Sequence, residues 1–156
     1  MPRMGDDDLS RFLRQPYIGV LATLRRGGLP YTVPVWWLWH EEAFWLTGTT
    51  VRVWCRQLMA DPRASLCVEA REGHIGVDGR VGVHRAEEFD IWPTTSLLVD
   101  KYVGRGDPAN SAAAAAFLDN MRTEPRMLFS LRPQDRRNAV RAIDMTVYQG
   151  KRAERL

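Results

Sequence analysis

The polar segment Thr47–Thr50 has the composition of a phosphate-binding turn, because it lies between an apolar strand-like run and the predicted helix Val51–Ala60. The first N–H groups of a helix lack partners within the helix and carry partial positive charge, so they attract anions. Threonine hydroxyls donate to phosphate oxygens, Gly48 would let the backbone approach closely, and arginines add charge-assisted contacts. The candidate phosphate-binding residues are Thr47, Thr49, Thr50, Arg52 and Arg56.

A structural explanation of the same residues stays open at this point. Thr49 or Thr50 would act only as the N-cap of the helix, which is a common position for threonine. Arg52 and Arg56 are four residues apart and share a helix face, where both side chains would be solvated.

Tryptophan lies on both faces of the predicted strand that contains the run TVPVWWLW. Side chains alternate along a strand, so one face carries Val33, Val35, Trp37 and Trp39 and the other carries Thr32, Pro34, Trp36 and Leu38. We expect one face to pack in the core and the other to cover a flat aromatic ligand or a partner subunit. The alternative is that all of these side chains are core or dimer contacts.

Pro34 lies in the middle of this strand and has no N–H to donate to a sheet ladder. The strand is therefore expected at a sheet edge, at a bulge, or where the ladder is interrupted. An interrupted ladder would leave the backbone groups of Val33 and Val35 free to meet the edge of a heterocycle.

The sequence contains no evident catalytic residue and no metal motif. The three histidines have no metal-ligand spacing, and no G-x-S-x-G, P-loop or C-x-x-C pattern is present. This pattern fits chemistry that is carried by a bound cofactor.

Length and composition predict an ordinary globular protein in one domain, residues 1–156, with 45% hydrophobic and 26% charged residues. We expect a barrel core formed by residues 9–85 and 126–147, with a helical insertion at about 87–122. No apolar run is long enough to span a bilayer and no signal peptide is evident, so a cytoplasmic protein is predicted. The net charge of +3 is spread along the chain, which favours an anionic ligand and is only weak evidence for a nucleic-acid partner.

Hydrophobic periodicity predicts an α+β fold that is mainly β, a β-meander of six to seven antiparallel strands with peripheral helices. The predicted strands span residues 17–24, 29–39, 43–47, 63–70, 73–84, 126–131 and 139–145, with a bulge at Asp78–Gly79 and a turn at 133–136. The predicted helices span residues 6–15, 51–60, 87–103 and 110–122. The apolar face of the second helix would consist of Val51, Trp54, Cys55, Leu58 and Met59.

The chain resembles the flavin-binding split β-barrel superfamily, which includes pyridoxamine phosphate oxidase-like proteins and deazaflavin-dependent reductases. Four segments carry the resemblance: Ile18–Thr23 with the turn Gly27–Gly28, Pro34–Trp37, Thr47 with the helix opening, and Arg56–Ser65. They cover residues 9–85 well and the rest of the chain loosely. The combination indicates the fold more specifically than the reaction.

The resemblance implies a dimeric split barrel with two cofactor sites at the interface between identical subunits. By position, Val33, Pro34, Val35 and Trp36 would line the isoalloxazine or deazaflavin ring, and Thr47, Thr49, Thr50 and Arg52 would hold the ribityl phosphate. The family usually places lysine or arginine four residues before the helix leucine, where this chain has Trp54. Either Arg52 or Arg56 would then replace that cation, or the cofactor would bind weakly, or the cofactor site has been lost.

Three functions remain open from the sequence. The leading hypothesis is a flavin- or deazaflavin-dependent oxidoreductase that transfers hydride to a small, planar organic substrate, with FMN and coenzyme F-420 as the two cofactor candidates. The second is a non-catalytic flavin, deazaflavin or haem carrier on the same fold. The third is a nucleic-acid-binding barrel, suggested by basic charge and abundant tryptophan.

Overall fold

The computed structural model describes residues 2–133 and 140–146. Its helices are α1 (Asp6–Arg14), α2 (Val53–Ala60), α3 (Trp92–Val99) and α4 (Ser111–Met121), with a π-helical turn at Asp100–Gly104 and a 3-10 turn at Pro108–Asn110. Its strands are β1 (Gly19–Leu24), β2 (Pro30–Val35), β3 (Trp37–His40), β4 (Ala43–Thr49), β5 (Arg63–Ala70), β6 (Gly73–Arg85), β7 (Arg126–Pro133) and β8 (Val140–Asp144).

The strands form one antiparallel sheet whose two edges meet at Trp36. The strand order is β2-β1-β5-β6-β7-β4-β3, with β8 paired to β6 beyond the end of β7. β2 and β3 therefore lie at opposite edges, yet only Trp36 separates them in the chain. Two residues span at most about 7 Å, so the sheet must curl until its edges nearly touch. This curled sheet is the split barrel that the sequence predicts.

The predicted strand 29–39 is wrong in one respect, because it is two strands on opposite edges. Pro34 itself lies within β2, paired with Val20, and its missing N–H is tolerated because β2 is an edge strand. The break falls two residues later, at Trp36.

The predicted bulge at Asp78–Gly79 is also wrong. The register of β5 with β6 is continuous, with Ser65 opposite Asp78 and Ala64 opposite Gly79. A Cβ at Gly79 would lie 2.4 Å from the Arg132 carbonyl oxygen. The glycine therefore marks a close approach of the neighbouring β7 backbone.

The second helix begins at Val53, two residues later than predicted. Arg52 is extended and donates its backbone N–H to the Thr49 carbonyl at 3.2 Å, which forms a turn before the helix. Val51 consequently lies outside the helix and is 69% exposed, so it does not belong to the buried face. The helix buries Trp54, Cys55 and Leu58 as predicted.

The turns on either side of the second predicted strand are those expected from the sequence. Gly28 adopts a φ of 85° and donates to the Arg25 carbonyl at 2.8 Å. Glu41 and Glu42 both have positive φ, which matches the twist of the β3–β4 hairpin. The predicted turn at 133–136 lies mostly outside the described residues, as do residue 147 of the predicted core and the end of the chain.

The main core fills the inside of the curled sheet. Every strand contributes to it, together with Phe12 of α1 and Trp54 of α2. A second, smaller cluster joins α3 and the π-helical turn to the outer face of β4 and β7. The predicted insertion 87–122 is helical, but α3 begins only at Trp92 and the helices are separated by the π-helical and 3-10 turns. In the described part of the chain, no helix has the length and apolar character to cross a bilayer.

Candidate functional site

A cavity of about 260 Å³ opens where the two sheet edges meet. It lies between the β2–β3 junction, the β4–α2 connection, the start of β7 and helix α4 of the insertion. Its lining residues are Ile18, Pro34, Val35, Trp36, Thr47, Arg52, Trp54, Phe117, Met121 and Arg126.

Six of the ten predicted site residues line this cavity: Pro34, Val35, Trp36, Thr47, Arg52 and Trp54. The chain segments that hold them are separated by the third strand, so their convergence follows from the curling of the sheet. Thr49 and Thr50 lie beside the cavity, at the end of β4 and in the connection to α2.

Two of the ten predicted residues point elsewhere. Val33 is packed against the main core. Arg56 lines a separate surface groove on α2, together with Arg25, Arg26 and Gln57. Of the two arginines that the sequence offered as phosphate ligands, the structure therefore places only Arg52 at the cavity.

The hydroxyls of Thr47 and Thr49 are buried and have no hydrogen-bond partner among the described residues. The two threonines lie two residues apart on β4, so they share one face of that strand. Leaving a buried hydroxyl unpaired costs on the order of 1–3 kcal/mol. Thr47 lines the cavity, so a ligand with acceptor oxygens would satisfy this orphaned donor.

The structure also answers whether Thr49 or Thr50 is merely a helix cap. The N-cap of α2 is Arg52, and its side chain makes no capping hydrogen bond. Thr50 instead donates its backbone N–H to the Pro125 carbonyl at 3.1 Å. The first N–H groups of α2 are therefore uncapped by these threonine side chains, and the threonines are not explained by capping.

Gly48 has a packing role that differs from the predicted approach to an anion. A Cβ at this position would lie 2.3 Å from Cys55 Sγ and 2.8 Å from the Trp54 ring. Gly48 therefore faces α2 and lets the helix pack closely against β4. Burial raises the pKa of the Cys55 thiol to about 12, so this cysteine stays protonated and is not a nucleophile.

Two arginines line the cavity: Arg52 supplies a positive charge that is unpaired among the described residues, and the charge of Arg126 is paired with Glu124. Arg52 is exposed, and in the described part of the chain no carboxylate pairs with it. Arg126 is nearly buried, with a side chain that is 10% exposed, and donates from Nε to Glu124 Oε2 at 2.7 Å. Since no acidic residue lines the cavity within the described residues, its walls favour an anionic ligand.

Trp36 supplies a flat aromatic wall. Its ring stacks on Tyr102 with a centroid distance of 4.8 Å and an interplanar angle of 1°. Phe117 of α4 approaches the same ring at 5.4 Å. Trp54, which occupies the position of the expected cation, is 4% exposed and packs on Phe129, so it belongs to both the core and the cavity wall.

Sequence reasoning missed four lining residues: Ile18, Phe117, Met121 and Arg126. Phe117 and Met121 lie in the predicted helix 110–122 and both line the cavity. Met121 is buried with Val99 and Ala114, whereas Phe117 is 39% exposed. Arg126 could have been found from its position as the first residue of a strand that follows directly on the insertion. Its pairing with Thr49 across β4 and β7 is what brings it to the site.

The cavity lining contains no aspartate, glutamate, histidine, lysine or cysteine among the described residues. Clusters of potential metal ligands are likewise absent from residues 2–133 and 140–146. The arrangement can bind and orient an anionic, partly aromatic molecule, and proton transfer would have to involve the ligand or solvent.

A sequence profile of the family described as pyridoxamine 5'-phosphate oxidase matches residues 6–138. A comparison with curated proteins finds no match. Among solved structures, an F420 reductase is similar at 26% identity and a TM-score of 0.58, covering 81% of this chain and 93% of that one.

Two further structures are similar in fold at lower identity. A conserved hypothetical protein of Mycobacterium tuberculosis has a TM-score of 0.73 at 18% identity, with 94% of this chain and 88% of that chain covered. The haem storage protein HutZ of Vibrio cholerae has a TM-score of 0.64 at 16% identity, with 83% and 90% covered. These two show the shared fold alone.

Proposed function

Because the chain belongs to the pyridoxamine 5'-phosphate oxidase family, we propose that it is an oxidoreductase that uses FMN or coenzyme F-420 at the cavity beside Trp36. The observation that carries this proposal is the pairing of an anion-binding group with a flat aromatic wall in one cavity. Thr47, Arg52 and Arg126 provide the donors, and Trp36 and Phe117 provide the wall.

The donors fit the phosphate that both cofactors carry. The Thr47 hydroxyl is a buried donor that has no partner in the described residues. Arg52 has its fork of N–H groups available, and Arg126 is held at the cavity by Glu124. Arg52 would neutralise part of the phosphate charge, and hydrogen bonds from all three groups would fix the position of the attached ring.

Each of the two cofactors is supported by one of the comparisons. The family match supports a flavin phosphate, and the similarity to an F420 reductase at 26% identity supports the deazaflavin. When bound, either cofactor in its reduced form supplies a hydride, and a planar substrate gains the two electrons.

The protein's own part in the reaction would be orientation and exclusion of water. Trp36 would hold the ring system against one flat surface, and Phe117 and Met121 would narrow the opening to small, flat substrates. Among the described residues, the cavity lining supplies no aspartate, glutamate, histidine, lysine or cysteine for proton transfer, so the proton that accompanies the hydride would come from solvent.

We further propose that a second copy of the chain completes the site. A cavity of about 260 Å³ is small for a site that must hold a cofactor and a substrate. Ile18 and Phe117 at its rim are exposed apolar side chains, and Val20, Val51 and Val53 are exposed on the neighbouring elements. Exposed apolar side chains around an open cavity favour burial against an identical subunit.

Single-turnover oxidation of the reduced, bound cofactor tests the enzymatic proposal. The protein loaded with reduced FMN or reduced coenzyme F-420 is mixed anaerobically with a naphthoquinone or a nitroaromatic, and cofactor absorbance is followed. We expect oxidation on the order of tenfold or more faster than for the free reduced cofactor at equal concentration, because the acceptor is oriented. Tight binding without acceleration would contradict catalysis and identify a carrier.

A further inference from the structure

The backbone of Trp37 is satisfied by side chains of the insertion at the point where the sheet is split. We call Val35, Trp36 and Trp37 the seam. The Trp37 N–H donates to the Tyr102 hydroxyl at 3.0 Å, and the Trp37 carbonyl accepts from Lys101 Nζ at 3.0 Å. Trp37 is fully buried, so both backbone groups would be left unpaired without these partners.

Tyr102 contacts the seam in two ways. Its hydroxyl accepts from the Trp37 N–H and lies within donating distance of the Tyr17 carbonyl, at 2.9 Å, and the Trp37 carbonyl, at 3.1 Å. Its ring stacks on Trp36. One residue therefore fixes the backbone of Trp37 and the ring plane of the preceding tryptophan.

Lys101 bonds to neutral groups. Its Nζ donates to the carbonyls of Leu13 and Trp37 at 3.1 and 3.0 Å and lies 3.3 Å from the Trp37 ring centroid. Burial lowers the pKa of this amine to about 7. The lysine thus ties α1 to the start of β3, and no carboxylate of the described residues forms a salt bridge with it.

The π-helical turn presents these two consecutive residues to the seam. It spans Asp100–Gly104 and ends where Arg105 adopts a left-handed conformation and donates its N–H to the Asp100 carbonyl at 2.6 Å. π-helical turns of this kind recur at functional sites. Here the turn joins the insertion to the edge of the barrel.

We propose that Tyr102, supported by Lys101, is a positioning residue of the cofactor site. It holds the seam closed and sets the plane of the Trp36 ring, so that the aromatic wall is formed before a planar ring binds. This inference rests on the proposed function, because it concerns the same cavity.

The first test compares Tyr102→Phe with Thr95→Val. The tyrosine variant keeps the ring and loses the hydroxyl that accepts from the Trp37 N–H. Thr95 is a buried residue of the same insertion. Among the described residues, its hydroxyl bonds to the carbonyl of Ile91, the N-cap of α3, at 2.7 Å, so its loss does not touch the seam. Titration with FMN and with coenzyme F-420 is expected to give about five- to thirtyfold weaker binding for Tyr102→Phe. The dissociation constant of Thr95→Val is expected within about twofold of wild type.

Two further measurements separate positioning from general stability. Amide hydrogen exchange of the segment that contains Trp37 is expected to accelerate in Tyr102→Phe and not in Thr95→Val. In a Trp36→Ala background, Tyr102→Phe should weaken binding little, because the ring that it positions is gone. Lys101→Met, which removes the other donor to the Trp37 carbonyl, gives the same comparison if Tyr102→Phe does not fold.

The outcomes are distinguishable. If wild-type protein binds either cofactor and Tyr102→Phe binds it equally well, the positioning role is overturned and the proposed function stands. Equal weakening by Thr95→Val, or fold-changes that simply multiply in the double variant with Trp36→Ala, would also overturn it. If wild-type protein binds neither cofactor, the proposed function fails and the positioning role fails with it.

Discussion

Replacing Trp37 with alanine is expected to lower the free energy of unfolding by about 3–5 kcal/mol. Trp37 is the largest fully buried side chain of the described core, and its ring packs on Phe44 at a centroid distance of 5.8 Å. Its indole Nε1 donates to the Tyr17 carbonyl at 2.8 Å, so the substitution also leaves the carbonyl of this half-buried residue with one partner fewer. A loss of this size is a large fraction of the stability of a typical domain.

The neighbouring tryptophan provides the matched comparison. Trp36 is half-buried, lines the cavity, and belongs to neither strand. We expect Trp36→Ala to cost clearly less stability than Trp37→Ala and to weaken cofactor binding instead. Urea denaturation followed by far-ultraviolet circular dichroism measures both variants. A cost below about 1 kcal/mol for Trp37→Ala would contradict the core assignment.

Replacing Arg52 with alanine is expected to weaken cofactor binding about tenfold to a hundredfold, whereas replacing Arg56 should leave it within about twofold. The sequence offered both arginines as phosphate ligands, and the structure places only Arg52 at the cavity. Both are exposed residues at or near the start of α2, so the pair controls for a general change in surface charge.

Fluorescence or absorbance titration at two salt concentrations measures this difference. Wild-type binding should weaken as salt rises, and Arg52→Ala should show a smaller salt dependence because one charge contact has gone. Equal losses of cofactor affinity in the two variants would mean that the arginines act only through the overall electrostatic field of the protein. A loss of affinity confined to Arg56→Ala would mean that the phosphate binds in the groove that Arg56 lines.

Local patterns in the sequence were sufficient for most of the barrel. The first helix, the glycine turn after β1 and the buried face of α2 depend on neighbouring residues, and the structure confirms them. The fold class is confirmed for the same reason, since antiparallel strands joined by short turns leave few alternatives.

The division of the predicted strand 29–39 into β2 and β3 could not be predicted from the local sequence pattern. Residues 29–39 alternate like one strand, and only the closure of the sheet separates Val35 from Trp37 onto opposite edges. The bulge predicted at Asp78–Gly79 failed for the same reason. Gly79 is required because the β7 backbone passes close to it, and no bulge is present there. Both features depend on which strands become neighbours.

The candidate site was predictable where its residues lie next to one another in the chain. Thr47, Arg52 and Trp54 come from one connection, and Pro34 to Trp36 from another. Arg126, Phe117 and Met121 reach the cavity only because β7 pairs with β4 and the insertion folds back over the seam. The contacts of Lys101 and Tyr102 with Trp37 link residues more than 60 positions apart, so no local sequence pattern predicts them.

The central claim is that the cavity beside Trp36 binds a flavin or deazaflavin phosphate. The most direct measurement is an absorption titration of the purified wild-type protein with FMN and, separately, with coenzyme F-420. We predict a saturable shift of the cofactor band for one of them, which is reversed by competing excess of the same cofactor's phosphate-containing fragment and diminished in Arg52→Ala. Unperturbed spectra for both cofactors across the titration would contradict the claim and leave the fold without the proposed oxidoreductase activity.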